Sequence, residues 1–280
     1  MTISDGLVSR SIDVPGARLQ YEVRGTGPLL FLVGSPMAAA EFAAIADAMA
    51  TDHTVVTYDP RGYAGSPLDD PDGPSTPEIR ADDVAAIIDA MGGGPVDLFG
   101  SSGGAVTGLA LVTRHPGTVR TLVAHEPPLT ELLPDAAEHR AATEAVIATY
   151  HRDGFQAAWG HFMANAGFDL PEGDGPGAQG APEPTGDQAA ESARFFLHDL
   201  ESTTQYVPDV EAFRSTPTRV VIGLGVESGG LLTTPTSRAT AEAIGAELVD
   251  FPGDHGGFMA GSSEFADRLR EVLGQPTSTA

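Results

Sequence analysis

The stretch Asp97-Leu98-Phe99-Gly100-Ser101-Ser102-Gly103-Gly104-Ala105-Val106-Thr107 decides how the chain is read. An apolar run ending at Phe99 reads as a strand, and the residues from Ala105 onward have helical character. Five small residues separate the two, and Gly100-x-Ser102-x-Gly104 fits G-x-S-x-G. With 34 glycines and 16 serines in the chain, random placement yields about 0.2 such matches, so the pattern needs its context. The context is a strand running straight into a helix. The glycines are expected to permit a strained turn that lifts the Ser102 hydroxyl clear of its neighbours. The amide of Gly103, at the helix N-terminus, would then face a developing oxyanion. Under a blander reading, Ser101 and Ser102 only cap the helix.

A serine nucleophile needs a base, and His255 is the candidate. It lies in Pro252-Gly253-Asp254-His255-Gly256-Gly257, directly after the last strand pattern. A loop there can present an imidazole at the carboxyl edge of a parallel sheet, where Ser102 also emerges. His125 lies near that edge too, but precedes either candidate acid in chain order.

The rest of the chain supplies that sheet. Segments 11–14 and 19–23 alternate in polarity around Pro15-Gly16, as two antiparallel strands do. A continuous apolar run follows at 29–33, the signature of a strand buried on both faces, with similar short runs at 54–58, 96–99, 119–124, 219–224 and 247–251. Helical patterns at 41–49, 79–91, 105–113, 237–244 and 265–273 lie between or after them. The expectation is an α/β, doubly wound, mostly parallel eight-stranded sheet. Residues 1–126 and 215–280 would form its core. Residues 127–214 carry helical patterns at 136–150, 154–165 and 188–200, and would form an inserted helical cap. Its aromatics, including Phe155, Trp159 and Phe195, need something to cover. Segment 171–187, rich in glycine, proline and acid, is expected to be a flexible loop.

Composition removes several chemistries. The net charge of −24 disfavours nucleic acid and anionic membranes as partners. Cysteine is absent, and all 15 basic residues are arginine. Thiolate nucleophiles, zinc–thiolate sites, Schiff-base lysines and the P-loop lysine are thereby excluded. The N-terminal residues show no signal-peptide pattern, so a cytoplasmic location is expected.

These motifs together resemble the α/β-hydrolase superfamily. Leu32-Val33-Gly34-Ser35-Pro36 is similar to its HGxP oxyanion loop, with Val33 where a histidine usually stands. Asp59-Pro60-Arg61-Gly62-Tyr63-Ala64-Gly65-Ser66 is similar to the loop that follows the next strand. The resemblance implies Ser102 and His255 as nucleophile and base, with oxyanion donors at the amides of Ser35 and Gly103. The acid is open. The usual position, the last of Gly225-Val226-Glu227-Ser228, holds serine, with Glu227 one place early. A minority of the superfamily carries the acid after the preceding strand, where Glu126 stands. Glu126 is preferred and Glu227 is the alternative. Epoxide hydrolases and dehalogenases need a carboxylate at the elbow, which Ser102 cannot supply. The implied activity is hydrolysis of a small ester, lactone or thioester through an acyl-enzyme. No metal or organic cofactor is implied, and a monomer or homodimer is expected. The rival readings are a non-catalytic small-molecule binder and a C–C hydrolase or lyase on the same scaffold.

Overall fold

The computed structural model describes residues 6–169, 183–260 and 263–274. Its strands are β1 (Val8–Val14), β2 (Ala17–Arg24), β3 (Leu29–Val33), β4 (Thr54–Tyr58), β5 (Val96–Ser101), β6 (Val119–His125), β7 (Arg219–Gly225) and β8 (Glu247–Phe251). They form one eight-stranded sheet in the order β1-β2-β4-β3-β5-β6-β7-β8. β1 and β2 are antiparallel to each other, and β2 is antiparallel to β4. From β4 to β8 every pairing is parallel.

The side-chain period of two explains why the central strands read as unbroken apolar runs. In β3, Phe31 and Val33 point into one core while Leu30 and Leu32 point into the other. The first core is closed by α2 (Pro77–Ala90), α3 (Gly103–Arg114) and α9 (Thr233–Ile244). The second lies under α1 (Ala43–Met49) and α10 (Ser263–Leu273). α2 begins at Pro77 behind Thr76, whose Oγ1 accepts from the Ile79 amide at 3.4 Å, a combination that suits a helix start.

Between β6 and β7 the described residues are helical: α4 (Ala136–Asp153), α5 (Phe155–Ala166), α6 (Asp187–Arg194), α7 (Leu200–Thr204) and α8 (Val210–Ser215). A single π-turn over Phe195–Asp199 joins α6 to α7. Their aromatics form a third, separate cluster around Phe196, with Tyr150, Phe155, Trp159, Phe162 and Phe195 packed on it. Phe213 of α8 instead joins the first core of the sheet. Most of the loop expected over 171–187 lies outside the described residues; of the remainder, helix begins at Asp187.

Buried arginines tie this helical segment to the sheet. Arg194 donates to the carbonyls of Arg61, Pro71 and Gly73 at 3.3, 3.2 and 2.9 Å. Arg80, fully buried, donates to Thr203 at 2.8 Å and lies 3.7 Å from Asp199, which also accepts from Tyr63 at 2.6 Å. Arg61 turns away to a bidentate pair with Asp83. The Asp59 carboxylate accepts from the amides of Ala39 and Gly65, both at 3.0 Å. Among the described residues no helix is long and apolar enough to cross a membrane.

β6 ends in an aromatic nest. The His125 ring meets Phe99, Phe251, Phe258 and Phe265 at centroid distances of 5.8, 5.8, 6.3 and 5.6 Å. Its Nδ1 lies 3.4 Å from Ser101 Oγ, and Nε2 has no partner. Burial pushes the imidazole down to about 4; the nearby Glu126 carboxylate opposes this and His255 reinforces it. The folded-state value lies below the unfolded value of 6.5, so unfolding takes up a proton between those limits. His125 therefore adds stability that is fully present above about pH 6.5 and is lost as the pH falls through 4. A shift of this size corresponds to roughly 3 kcal/mol. The His125→Phe variant should lose about that much less stability between pH 7.5 and pH 4 in urea unfolding. Parallel losses in the two proteins would contradict a neutral buried ring.

Candidate active site

One residue separates β5 from α3, and that residue is Ser102. Its φ of +56° and ψ of −123° put it in a region that costs a non-glycine residue about 1–3 kcal/mol. The glycines beside it work differently from the sequence expectation. Neither Gly103 nor Gly104 has a positive φ; the strain sits on the serine itself. What the two glycines supply is space. A Cβ on Gly104 would lie 2.0 Å from the Val33 carbonyl, and one on Gly103 would lie 2.4 Å from the Ser35 carbonyl. The loop after β3 is thus pressed onto the first turn of α3. Gly103, the first residue of α3, has its N–H among the helix-end amides that lack an intrahelical acceptor. Ser35 is buried against it. The two residues expected to supply oxyanion donors therefore lie side by side.

The Ser102 amide donates to the His125 carbonyl at 2.9 Å, extending the β5–β6 pairing by one bond. Immediately beyond, Glu126 also turns left-handed, with φ +52°, and its amide donates to Gly223 O at 3.0 Å. This turn sends the Glu126 side chain across the end of β7. Oε1 accepts from the Gly225 amide at 2.9 Å. Oε2 accepts from Thr233 Oγ1 at 2.6 Å and lies 2.6 Å from His255 Nδ1.

Burial by itself would raise the Glu126 carboxyl. The hydrogen bond from His255 and the charges of His125 and His255 outweigh it and hold the group at about 2. The result is a dry carboxylate with every contact facing a donor. His255 keeps 18 % of its side-chain surface exposed while Glu126 has none. The imidazole ring also stacks on His125 at 6.3 Å and meets Phe168 edge-on at 5.8 Å. With Nδ1 facing the acid, Nε2 is the nitrogen left for chemistry.

The structure brings Glu126 to His255 and leaves Glu227 apart. Glu227 is exposed, and its amide donates to Gly253 O at 2.9 Å. Sequence reasoning missed Thr233, the hydroxyl donor to Glu126. The only local signal was Thr233-Thr234-Pro235, which reads equally well as an ordinary helix start. It also missed Phe168 as a neighbour of His255, having assigned all the aromatics of this region a general covering role. Among the described residues no group of three His, Cys, Asp or Glu could hold a metal ion.

Residues 27–162 match a family model described as the alpha/beta hydrolase fold. The uncharacterized hydrolase YraK of Bacillus subtilis strain 168 is 31 % identical over 280 residues, covering 98 % of this chain and 97 % of that protein. A hydrolase from Pseudomonas aeruginosa PA01 superposes with a TM-score of 0.70 at 20 % identity, over 95 % of this chain and 98 % of the other. A thermophilic esterase from Thermogutta terrifontis gives a TM-score of 0.70 at 19 % identity, over 96 % and 98 % of the two chains. End-to-end similarity to the Bacillus hydrolase, on a sheet with this strand order and a serine at this bend, makes the chain a member of the α/β-hydrolase family.

Proposed function

We propose that the protein hydrolyses a small-molecule ester, lactone or thioester through an acyl-enzyme. The observation that carries this reading is the 2.6 Å contact between a fully buried Glu126 and His255 Nδ1, at the sheet edge where Ser102 projects. Ser102 Oγ attacks the carbonyl carbon as His255 Nε2 takes its proton. The amides of Ser35 and Gly103 hold the tetrahedral oxyanion, and losing one such donor typically costs about 3–4 kcal/mol of barrier. His255 then returns the proton to the leaving alkoxide or thiolate, and the acyl group stays on Ser102. In the second half His255 draws a proton from water as its oxygen adds to the acyl carbon, then returns that proton to Ser102 Oγ as the C–O bond to the serine breaks and the acid leaves. Glu126 keeps the imidazole in the tautomer that presents Nε2 and stabilises its cation. The catalytic set is Ser102, His255 and Glu126, with Glu227 outside it.

A fluorophosphonate probe should label the protein, and Ser102→Ala should abolish the labelling. A protein that stays unlabelled at any concentration supports the non-catalytic binder instead. Steady-state kinetics on p-nitrophenyl esters test the acid. Glu126→Gln should lower kcat by about 10³-fold or more, whereas Glu227→Gln should stay within about twofold of the parent. The reverse order would move the acid to Glu227.

Thr233 is a positioning residue, since it touches only the carboxylate. Thr233→Val should lower kcat by about tenfold with KM unchanged, the loss expected for one hydrogen bond to a charged group. Thr233→Ser should restore most of it. A KM change without a kcat change would show that Thr233 serves only packing.

A further inference from the structure

A cleft among the described residues begins directly after Ser35, at Pro36 and Met37. It holds about 740 Å³, within the usual range for small-molecule sites. One wall is aromatic: Tyr63 from the loop after β4, with Phe155, Trp159 and Phe195 from the helical segment. Phe155 and Trp159 stack at 5.8 Å, and Trp159 meets Phe195 at 6.1 Å. The ionisable groups on the remaining lining are carboxylates.

Those carboxylates are held in place. Glu41 accepts from the Ala38 amide at 3.0 Å, and Glu191 accepts from the Ala64 amide at 2.8 Å. Glu183 accepts from the amides of Phe155 and Gln156 at 2.8 and 3.1 Å. No arginine or histidine lines the cleft, and the chain contains no lysine. Three buried arginines on neighbouring elements are already used. Arg194 lies three residues after Glu191, yet its guanidinium is taken by three backbone carbonyls. Arg80 faces Ser75, Thr107, Thr203 and Asp199, and Arg61 faces Asp83. An anionic group entering the cleft would meet three negative charges and find no cation.

We propose that this cleft selects uncharged esters carrying an aryl or alkyl group and rejects substrates bearing a carboxylate. The proposal rests on the hydrolase reading and extends it to the product. Hydrolysis of a neutral ester yields an alcohol, a carboxylate and a proton. The acid that forms is therefore repelled from the cleft that bound its precursor. Substrate capture and acid release follow from one charge pattern, and product inhibition by the acid should be weak.

Trp159 is the only tryptophan of the chain and lines the cleft, so its fluorescence reports occupancy whether or not turnover occurs. In the full-length Ser102→Ala protein at low salt, ethyl 3-phenylpropanoate should bind at least about tenfold more tightly than the 3-phenylpropanoate ion. The gap should narrow in 0.5 M NaCl, on the order of the salt at which surface charges are screened within a few ångströms. Glu191→Gln in the same background should narrow it severalfold at low salt, the amide still accepting from Ala64. Wild-type enzyme should likewise prefer p-nitrophenyl valerate to p-nitrophenyl hydrogen glutarate in kcat/KM by at least about tenfold. Equal binding of ester and carboxylate, or a Trp159 signal that responds to neither, would overturn the proposal. Failure of the hydrolase reading looks different: wild-type protein would cleave neither p-nitrophenyl ester, while the titration would still decide what the cleft accepts.

Discussion

A single backbone hydrogen bond, from the Ser102 amide to the His125 carbonyl, holds the candidate chemistry together. It continues the β5–β6 pairing to the point where both strands end, and there both chains bend left-handed, at Ser102 and at Glu126. Two residues that favour other backbone regions are kept in place because each is bonded to an element that cannot yield. Ser102 is trapped between the sheet and a helix that starts one residue later. Glu126 is pinned by its own amide to Gly223 and by its side chain to Gly225. Strain at one site with rigid neighbours on both sides is the usual state of a preorganised centre. The pairing of β5 with β6 sets the spacing of the two strand ends, and this last bond carries it to Ser102 itself.

The helical segment is joined to the sheet by polar contacts as well as by Phe213 of α8, which extends the first core. Its aromatics pack mainly on one another. The polar part of the joint is Arg194 on three loop carbonyls, Glu191 on the Ala64 amide, and Tyr63 with Arg80 on Asp199. Directional bonds of this kind fix where a surface sits more sharply than hydrophobic contact does. The loop they grip passes its position onward, since Asp59 bonds both Gly65 within it and Ala39 in the segment after β3. The helical segment and the loop after β3 are thereby referenced to the same eight residues, 59–66.

Much of this was legible in the sequence because the physics is local. Parallel strands buried on both faces are largely apolar, so β3 to β7 announced themselves, and Gly100-x-Ser102-x-Gly104 marked the bend. The role of the glycines was not legible. Conformational freedom and lack of bulk leave the same letter, and only the approach of Val33 and Ser35 shows that bulk was the issue at Gly103 and Gly104. For the acid the sequence supports only a preference for Glu126 over Glu227, for another reason. Glu126 and Glu227 both precede His255 and both follow strands, so chain order carries no information about which reaches the ring. What separates them is the left-handed turn at Glu126, and no residue type there signals it, since glutamate rarely adopts that conformation. Thr233 was invisible because its partner lies 107 positions away in sequence.

The net charge of −24 acquires a structural meaning once the arginines are placed. A chain with 15 cations and 39 anions could still present local positive surface if its arginines were free. Several of them are not. Arg61, Arg80 and Arg194 lie almost wholly buried, each consumed by carbonyls, hydroxyls or aspartates that need a donor. Interior polar groups have drawn the cations inward, because a buried carbonyl or carboxylate without a donor costs more than a surface charge without a partner. The cleft beside the oxyanion loop inherits the imbalance and is left with carboxylates. Long-range field and local lining then act with the same sign, so a negatively charged molecule is turned away twice, once on approach and once at the aromatic wall.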